Sequence, residues 1–372
     1  MKYLSLICFL LPICLRAQTP EAVKLYNDAV AAVKAKDHPS AIRLYTESLS
    51  IDPLYPQSYY GRANSKLALK HYEEAIKDFK KCLKLDATNA KAWYYMAYCN
   101  MKSKDNDAAY ENFQNALKHD NSLAKAYYYR AFIHLNKENF NLAIKDFTAY
   151  LTLEPDNEKA HFNLGVSYYK EGLNALAIQS YSRALDIDPS YEDARFERLK
   201  LLYKEGDLAA CIQDCSYFVN KRQKLESVLN YRANAYLKDE QLDLAASDFK
   251  NLLNHKPGDQ LAIQNLAAIS IKQKDYSKSI VYYSQLLELE PGKAAYLKNR
   301  SIAYMQIESW NEALKDLNVL IEKAPSNGDA FYNRSKVHLQ LNNSGQACQD
   351  MRQSARLGFE QAFAYVAGLC DN

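Results

Sequence analysis

The chain has 372 residues, 48% of them hydrophobic and 24% charged, with only ten glycines and ten prolines, which excludes wholesale disorder and fibrous architectures. No shift in composition marks a linker, so one long repetitive domain is expected rather than several compact ones. The formal charge is +3, and removing residues 1–17 with Lys2 and Arg16 leaves 45 basic against 44 acidic groups, or +1. That balance gives no electrostatic footprint for a nucleic acid or an anionic membrane. Tyrosine, at 30 residues, is the outlier.

The N-terminus reads Met1, Lys2, an apolar run over 3–15, then Arg16, Ala17 and Gln18. A basic start, a short apolar stretch and a small residue are the three parts of a secretory signal, so cleavage after Ala17 is expected. The run is too short for a bilayer core and contains Pro12, which argues against an anchor. Isoleucine precedes both Cys8 and Cys14, which argues against a lipidation site. No second hydrophobic segment of spanning length follows. The expected product is exported, periplasmic or extracellular, without stable membrane insertion and in an oxidising compartment.

From Ala22 to Gln361 the chain repeats every 34 residues without insertion or deletion. The ten repeats are 22–55, 56–89, 90–123, 124–157, 158–191, 192–225, 226–259, 260–293, 294–327 and 328–361. Position 8 is small in nine of them: Ala29, Ala63, Ala97, Ala131, Gly165, Ala233, Ala267, Ser301 and Ser335. Position 20 is small throughout, and position 24 is mostly aromatic, as in Tyr45, Phe79, Phe113, Phe147, Tyr181, Phe249 and Tyr283. Two antiparallel helices that approach closely at 8 and 20, with a ring filling the space beside them, satisfy this pattern. Proline at position 32 in six repeats (Pro53, Pro155, Pro189, Pro257, Pro291, Pro325) stops the second helix. Repeat 6 departs most, with Leu199, Cys211, Cys215 and Gln223 at these positions, and predicts altered packing between repeats 1–5 and 7–10.

The period and the small-8, small-20, aromatic-24, proline-32 pattern resemble tetratricopeptide repeats of the exported bacterial type over about nine-tenths of the chain. The resemblance implies an all-α fold: a right-handed superhelical solenoid of ten helix-turn-helix units. It is specific for fold and weak for function. The tail, with Ala347-Cys348-Gln349-Asp350, Leu357-Gly358 and Cys370, resembles a recurrent ending of exported repeat proteins. Residues 362–372 would form a C-terminal capping helix, and Cys348 with Cys370 would staple it.

In such solenoids the first helix of each pair lines the concave groove through positions 2, 5, 6, 9, 12 and 13. Repeats 2–5 then place Tyr60, Tyr94, Tyr128 and Phe162 at position 5, Tyr95 and Tyr129 at position 6, and Lys91, Lys125 and Lys159 at position 2. An aromatic stripe edged by lysines suits a partner segment that offers apolar and acidic side chains; packing between neighbouring repeats is the alternative role of the rings. Asn163, Asn265, Asn299 and Asn333 occupy position 6 in four repeats and resemble the asparagine ladder of long tetratricopeptide superhelices. Such amides can bond a peptide backbone without reading its sequence, or a neighbouring helix. The family's carboxylate clamp is not expected, because Ala295 and Asn299 stand where its cations belong.

Six cysteines follow the signal segment; Cys82 and Cys99, on adjacent helices, are a second candidate pair, and Cys211 and Cys215 read as small apolar residues. The seven histidines show no metal-ligand spacing, and no phosphate loop or nucleophile motif occurs. No enzyme activity, metal, cofactor, small-molecule substrate or nucleic acid is expected. The leading expectation is a protein-interaction scaffold that holds an extended or helical partner segment in its groove; the alternative is a structural component of an envelope or secretion assembly.

Overall fold

A computed structural model describes residues 19–370, so the signal segment expected over 1–17 and the last two residues lie outside the described residues. Among the described residues there are 21 α-helices and no strand. Repeats 1–5 are built by α1 (Pro20–Lys34), α2 (His38–Ile51), α3 (Pro56–Ala68), α4 (Tyr72–Leu85), α5 (Ala90–Lys102), α6 (Asn106–His119), α7 (Ala124–Asn136), α8 (Phe140–Leu153), α9 (Glu158–Lys170) and α10 (Asn174–Ile187). Repeats 6–10 follow as α11 (Glu192–Glu205), α12 (Leu208–Lys221), α13 (Leu225–Lys238), α14 (Leu242–His255), α15 (Gln260–Lys272), α16 (Tyr276–Leu289), α17 (Ala294–Gln306), α18 (Trp310–Lys323), α19 (Gly328–Gln340) and α20 (Ser344–Arg356). A final helix, α21 (Glu360–Cys370), packs on α20. The chain divides into two compact bodies, one ending at Ala194 and one starting at Arg195, so the division falls within the first helix of repeat 6.

Local chemistry explains the punctuation. The first helix ends in a left-handed residue at position 15 in every repeat, by turns Lys36, Lys70, Lys104, Glu138, Gly172, Gly206, Glu240, Lys274, Glu308 and Asn342. The next residue begins the second helix, and Asp37, Asp105, Asp207 and Asp275 each accept a backbone N–H there. Asn89, Asn157, Asp259 and Asn327 cap first helices in the same way.

The core follows the small-8, small-20, aromatic-24 pattern. Ala63, Ala75 and Phe79 are fully buried in one cluster, and Ala97, Ala109 and Phe113, Ala131, Ala143 and Phe147, and Ala233, Ala245 and Phe249 repeat it. A Cβ at Gly165 would lie 2.6 Å from the Tyr181 ring, so in this repeat the glycine at position 8 leaves the room that the ring takes as it is placed. Repeat 6 trades sizes: Leu199 fills, at position 8, volume that Cys211 and Cys215 leave, and all three are fully buried. Its proline turn is replaced by left-handed Arg222 and Lys224. The candidate pair Cys82–Cys99 is not formed. Both are free thiols buried in a single apolar cluster, and burial pushes Cys82 up to about 11 and Cys99 to about 12, which leaves them unreactive. Cys348 and Cys370 do form a disulfide, with Cα atoms 5.3 Å apart, that ties α21 to α20.

A second framework was not read from the sequence. Arg62, Arg130, Arg198, Arg232, Arg300 and Arg334 occupy position 7, and each grips an aspartate sixteen residues on (Asp78, Asp146, Asp214, Asp248, Asp316, Asp350) through two hydrogen bonds of 2.7–2.8 Å. The repeats without arginine there also lack the aspartate, having Asp28 with Leu44, Met96 with Asn112, Leu164 with Ser180 and Leu266 with Tyr282. In four cases the third guanidinium nitrogen also donates to the second helix of the preceding repeat, at Thr46, Ser216, Ser284 and Asn318. Each of these four arginines therefore joins three helices. The aspartates are buried, and the bidentate geometry is what makes burial of both charges tolerable. His134 and His338 sit 3.9 and 3.8 Å from Asp146 and Asp350, and burial lowers both imidazoles below the ordinary value despite those carboxylates.

Asp248→Ala should destabilise the second body by about 3–5 kcal/mol, because it strands the Arg232 guanidinium. Replacing both, as Arg232→Leu with Asp248→Ser after the pattern of repeat 5, should recover most of that loss in urea unfolding. Equal loss in the single and double variants would refute the clamp. For the histidines, a lowered pKa means that the unfolded chain takes up the proton first. Stability is therefore full above about 6.5 and falls as pH drops from there toward the depressed folded values. The double variant His134→Gln, His338→Gln should flatten that part of a melting-temperature profile. Non-reduced peptide mapping should show Cys348 joined to Cys370, and reduction should remove about 3 kcal/mol from the C-terminal end. Recovery of two free thiols would remove the staple.

Candidate functional site

The aromatic residues of repeats 2–5 lie on α3, α5, α7 and α9 and are half-buried. Their placement is periodic. Each ring at position 5 leans on the ring at position 24 of its own repeat: Tyr60 on Phe79 at 6.1 Å, Tyr94 on Phe113 at 5.9 Å, Tyr128 on Phe147 at 5.8 Å and Phe162 on Tyr181 at 5.7 Å. Each position-6 ring stacks instead on the ring of the repeat before, Tyr95 on Phe79 and Tyr129 on Phe113, with centroids 6.3 and 5.9 Å apart. Tyr60 meets Tyr95 at 6.3 Å and Tyr94 meets Tyr129 at 6.5 Å, so the rings run on from one repeat to the next. Packing between repeats and display on a surface are thus properties of the same side chains. Burial raises the phenols, Tyr60 to about 12 and Tyr94, Tyr128 and Tyr129 above their ordinary value, so the hydroxyls stay neutral donors at any physiological pH.

Lys91, Lys125 and Lys159 are exposed at position 2 of α5, α7 and α9. A cavity of about 360 Å³ brings Lys91 and Lys125 together with Tyr60, Tyr94, Tyr95 and Glu154. Tyr128, Tyr129, Lys159 and Phe162 are not part of it. Phe162 packs on Tyr181 and Tyr191, the latter at 5.3 Å. Glu154 belongs to a row of acids at position 31, with Asp120 and Asp188, that the sequence analysis missed although it shares the 34-residue period. The Asp120 carboxyl is held below its usual value, first by Ser122 and then by the Lys91 charge. The lysines therefore carry a partial counter-charge, and the site is an aromatic floor with cations and acids at one edge.

The amides are mostly engaged. Asn299 donates to the Tyr283 hydroxyl at 3.1 Å, Asn333 to the Asp329 backbone and carboxylate at 2.9 and 3.0 Å, and Asn163 to the Tyr128 hydroxyl at 3.5 Å. Of the four, Asn265 alone has a side-chain amide without a hydrogen-bond partner among the described residues. No group of three or more metal-ligating side chains lies together among the described residues.

A model of the tetratricopeptide repeat protein 21 C-terminal ARM domain matches residues 16–200, and a tetratricopeptide repeat model matches residues 262–293. No curated protein matches the chain. Among solved structures, the C-terminal part of a repeat-containing protein from Cytophaga hutchinsonii is 21% identical, aligns over 65% of this chain and 99% of its own, and has a TM-score of 0.50. YrrB, described as having an unusual peptide-binding site, is 22% identical over 48% of this chain and 91% of its own, at a TM-score of 0.44. The Naa15/Naa10 structure bound to HypK-THB aligns over 91% of this chain and 64% of its own, at 15% identity and a TM-score of 0.49. With helix pairs, repeat spacing and family models in agreement, the chain belongs to the tetratricopeptide repeat family.

Proposed function

We propose that the protein is a non-catalytic scaffold that holds an extended segment of a partner protein along the first helices of repeats 2–5. The observation that carries this reading is the cavity in which Tyr60, Tyr94 and Tyr95 meet Lys91 and Lys125. Its aromatic floor suits an apolar side chain, and the two ammonium groups suit an acidic one beside it. The proposed setting is outside the cytoplasm, a reading supported by the N-terminal sequence pattern and by the Cys348–Cys370 disulfide. Among the described residues no helix is long and apolar enough to cross a membrane.

Exposed Phe363 and Tyr365 on α21, 59% and 56% accessible, favour a second reading in which the C-terminal cap contacts another subunit of an assembly. The two readings separate by charge. Lys91→Glu with Lys125→Glu leaves every ring contact in place and should weaken capture of the partner in a cross-linking pull-down at least tenfold, while Phe363→Ser with Tyr365→Ser should leave it intact. The opposite pattern would move the interface to the cap.

A further inference from the structure

Repeat 8 is one of those without the arginine–aspartate clamp, having Leu266 and Tyr282 at positions 7 and 23. Lys250 stands at position 25 of the repeat before it, the place from which Thr46, Ser216, Ser284 and Asn318 receive the third guanidinium nitrogen elsewhere. A cavity of about 340 Å³ between α14, α15 and α16 is lined by all three of these residues, so it occupies the space that an arginine side chain takes in a clamped repeat. Leu266, Ile269 and Ser270 of α15 form its floor, Ser247, Lys250 and Asn251 line it from α14, and Lys278 and Tyr282 line it from α16. The wall carries one carboxylate, Asp243, to which Gln273 Nε2 already donates at 2.8 Å. Lys278 is paired with Asp275 outside the cavity, an aspartate that also feels the Lys250 charge. The side chains left without a hydrogen-bond or ion-pair partner among the described residues are Ser247, Lys250, Asn251 and Tyr282. Each can donate. The first three are exposed and Tyr282 is half-buried, so a molecule entering the open cavity can reach them.

We propose that the α14–α15–α16 cavity binds an oxyanion of the phosphate class, held by Lys250 and Tyr282. Two ammonium groups against one carboxylate in the wall set the sign of the charge, and with Tyr282 in place of the clamp aspartate a cation finds no new counter-charge there. The donors stand on two walls, α14 and α16. A carboxylate turns both oxygens in one direction, whereas a phosphoryl group presents oxygens to both walls at once, and ionised acceptors make the stronger hydrogen bonds. The occupant is either free phosphate or a phosphoryl group carried on a side chain, since the chemistry recognised is the same. The site lies in the second body and does not depend on the groove reading of repeats 2–5.

The test uses the full chain and two probes, inorganic phosphate and N-acetyl-O-phosphoserinamide, titrated against chloride at fixed ionic strength and followed by calorimetry or phosphorus NMR. Saturable binding is expected, and the tighter probe tells whether the site serves the free ion or a phosphorylated side chain. Lys250→Gln and Tyr282→Phe should each weaken it about tenfold, the scale of a hydrogen bond to a charged group. Leu266→Arg with Tyr282→Asp rebuilds the clamp of the other repeats, leaves the net charge unchanged and should abolish binding although Lys250 and Lys278 are still present. Helical circular dichroism reports whether that variant folds; the two single variants decide if it does not. Lys315→Gln, at an exposed lysine of α18 outside the cavity, should change nothing. The site is overturned by an absence of saturable binding below about 10 mM, by binding that survives the rebuilt clamp in a folded chain, or by equal losses in Lys250→Gln and Lys315→Gln. An N-acetylglutamic acid α-amide that binds as tightly as the phosphoserine probe overturns the phosphate class.

Discussion

Everything in this chain depends on how closely the two helices of a repeat approach one another. Alanine, glycine or serine at positions 8 and 20 brings the backbones together, and the ring at position 24 seals the seam. A pair packed in this way still has an apolar flank. Only the next pair can cover it, so the rings at positions 5 and 6 are drawn onto the position-24 rings of their own and the preceding repeat. The same step holds each ring half in contact with solvent. The aromatic surface of repeats 2–5 is therefore first a product of the packing rule, to which the exposed lysines at position 2 add a charged edge.

The two bodies put different chemistry on this common frame. In the first, two of the five position-6 residues are tyrosine (Tyr95 and Tyr129), and the neighbouring cavity is lined with tyrosine. In the second, position 6 is asparagine in the last three repeats (Asn265, Asn299 and Asn333), and two of those amides are bonded internally. An amide that steadies its own helix pair presents less to a partner than a free one, and of this row Asn265, half-buried, is the one without an internal side-chain partner among the described residues. The gain from an asparagine ladder lies partly in satisfying buried hydroxyls such as that of Tyr283.

The helix pairs and the cap were legible in the sequence because small, aromatic and proline residues recur at fixed spacing and each has one steric purpose. The Cys348–Cys370 bridge was legible because one thiol sits at a helix start and the other on the helix that must cover it. The Arg–Asp clamps escaped notice for a physical reason. Partners sixteen residues apart lie on different helices, outside the three- and four-residue spacing by which charges pair along one helix, so each arginine resembles an exposed cation. Comparing the repeats with one another would have found them, since the arginine and the aspartate appear and vanish together. The internal engagement of Asn299 and Asn333 had no such signal, because it depends on which rotamer reaches which neighbour. Nor did the close fit at Gly61: a single glycine among ten position-6 residues acquires meaning only once the Tyr45 ring is seen against it.

Because the arginine and aspartate of each clamp belong to the same 34 residues, a whole repeat can be copied or deleted without splitting a clamp. What passes between neighbours is a single hydrogen bond to a short polar side chain, and Thr46, Ser216, Ser284 and Asn318 show that several residues serve. Each clamp is thus closed within its repeat while its link to the neighbour stays permissive. A gene carrying this unit can lengthen or shorten its product by unequal recombination and still encode a folded chain, provided that the cut respects the 34-residue frame.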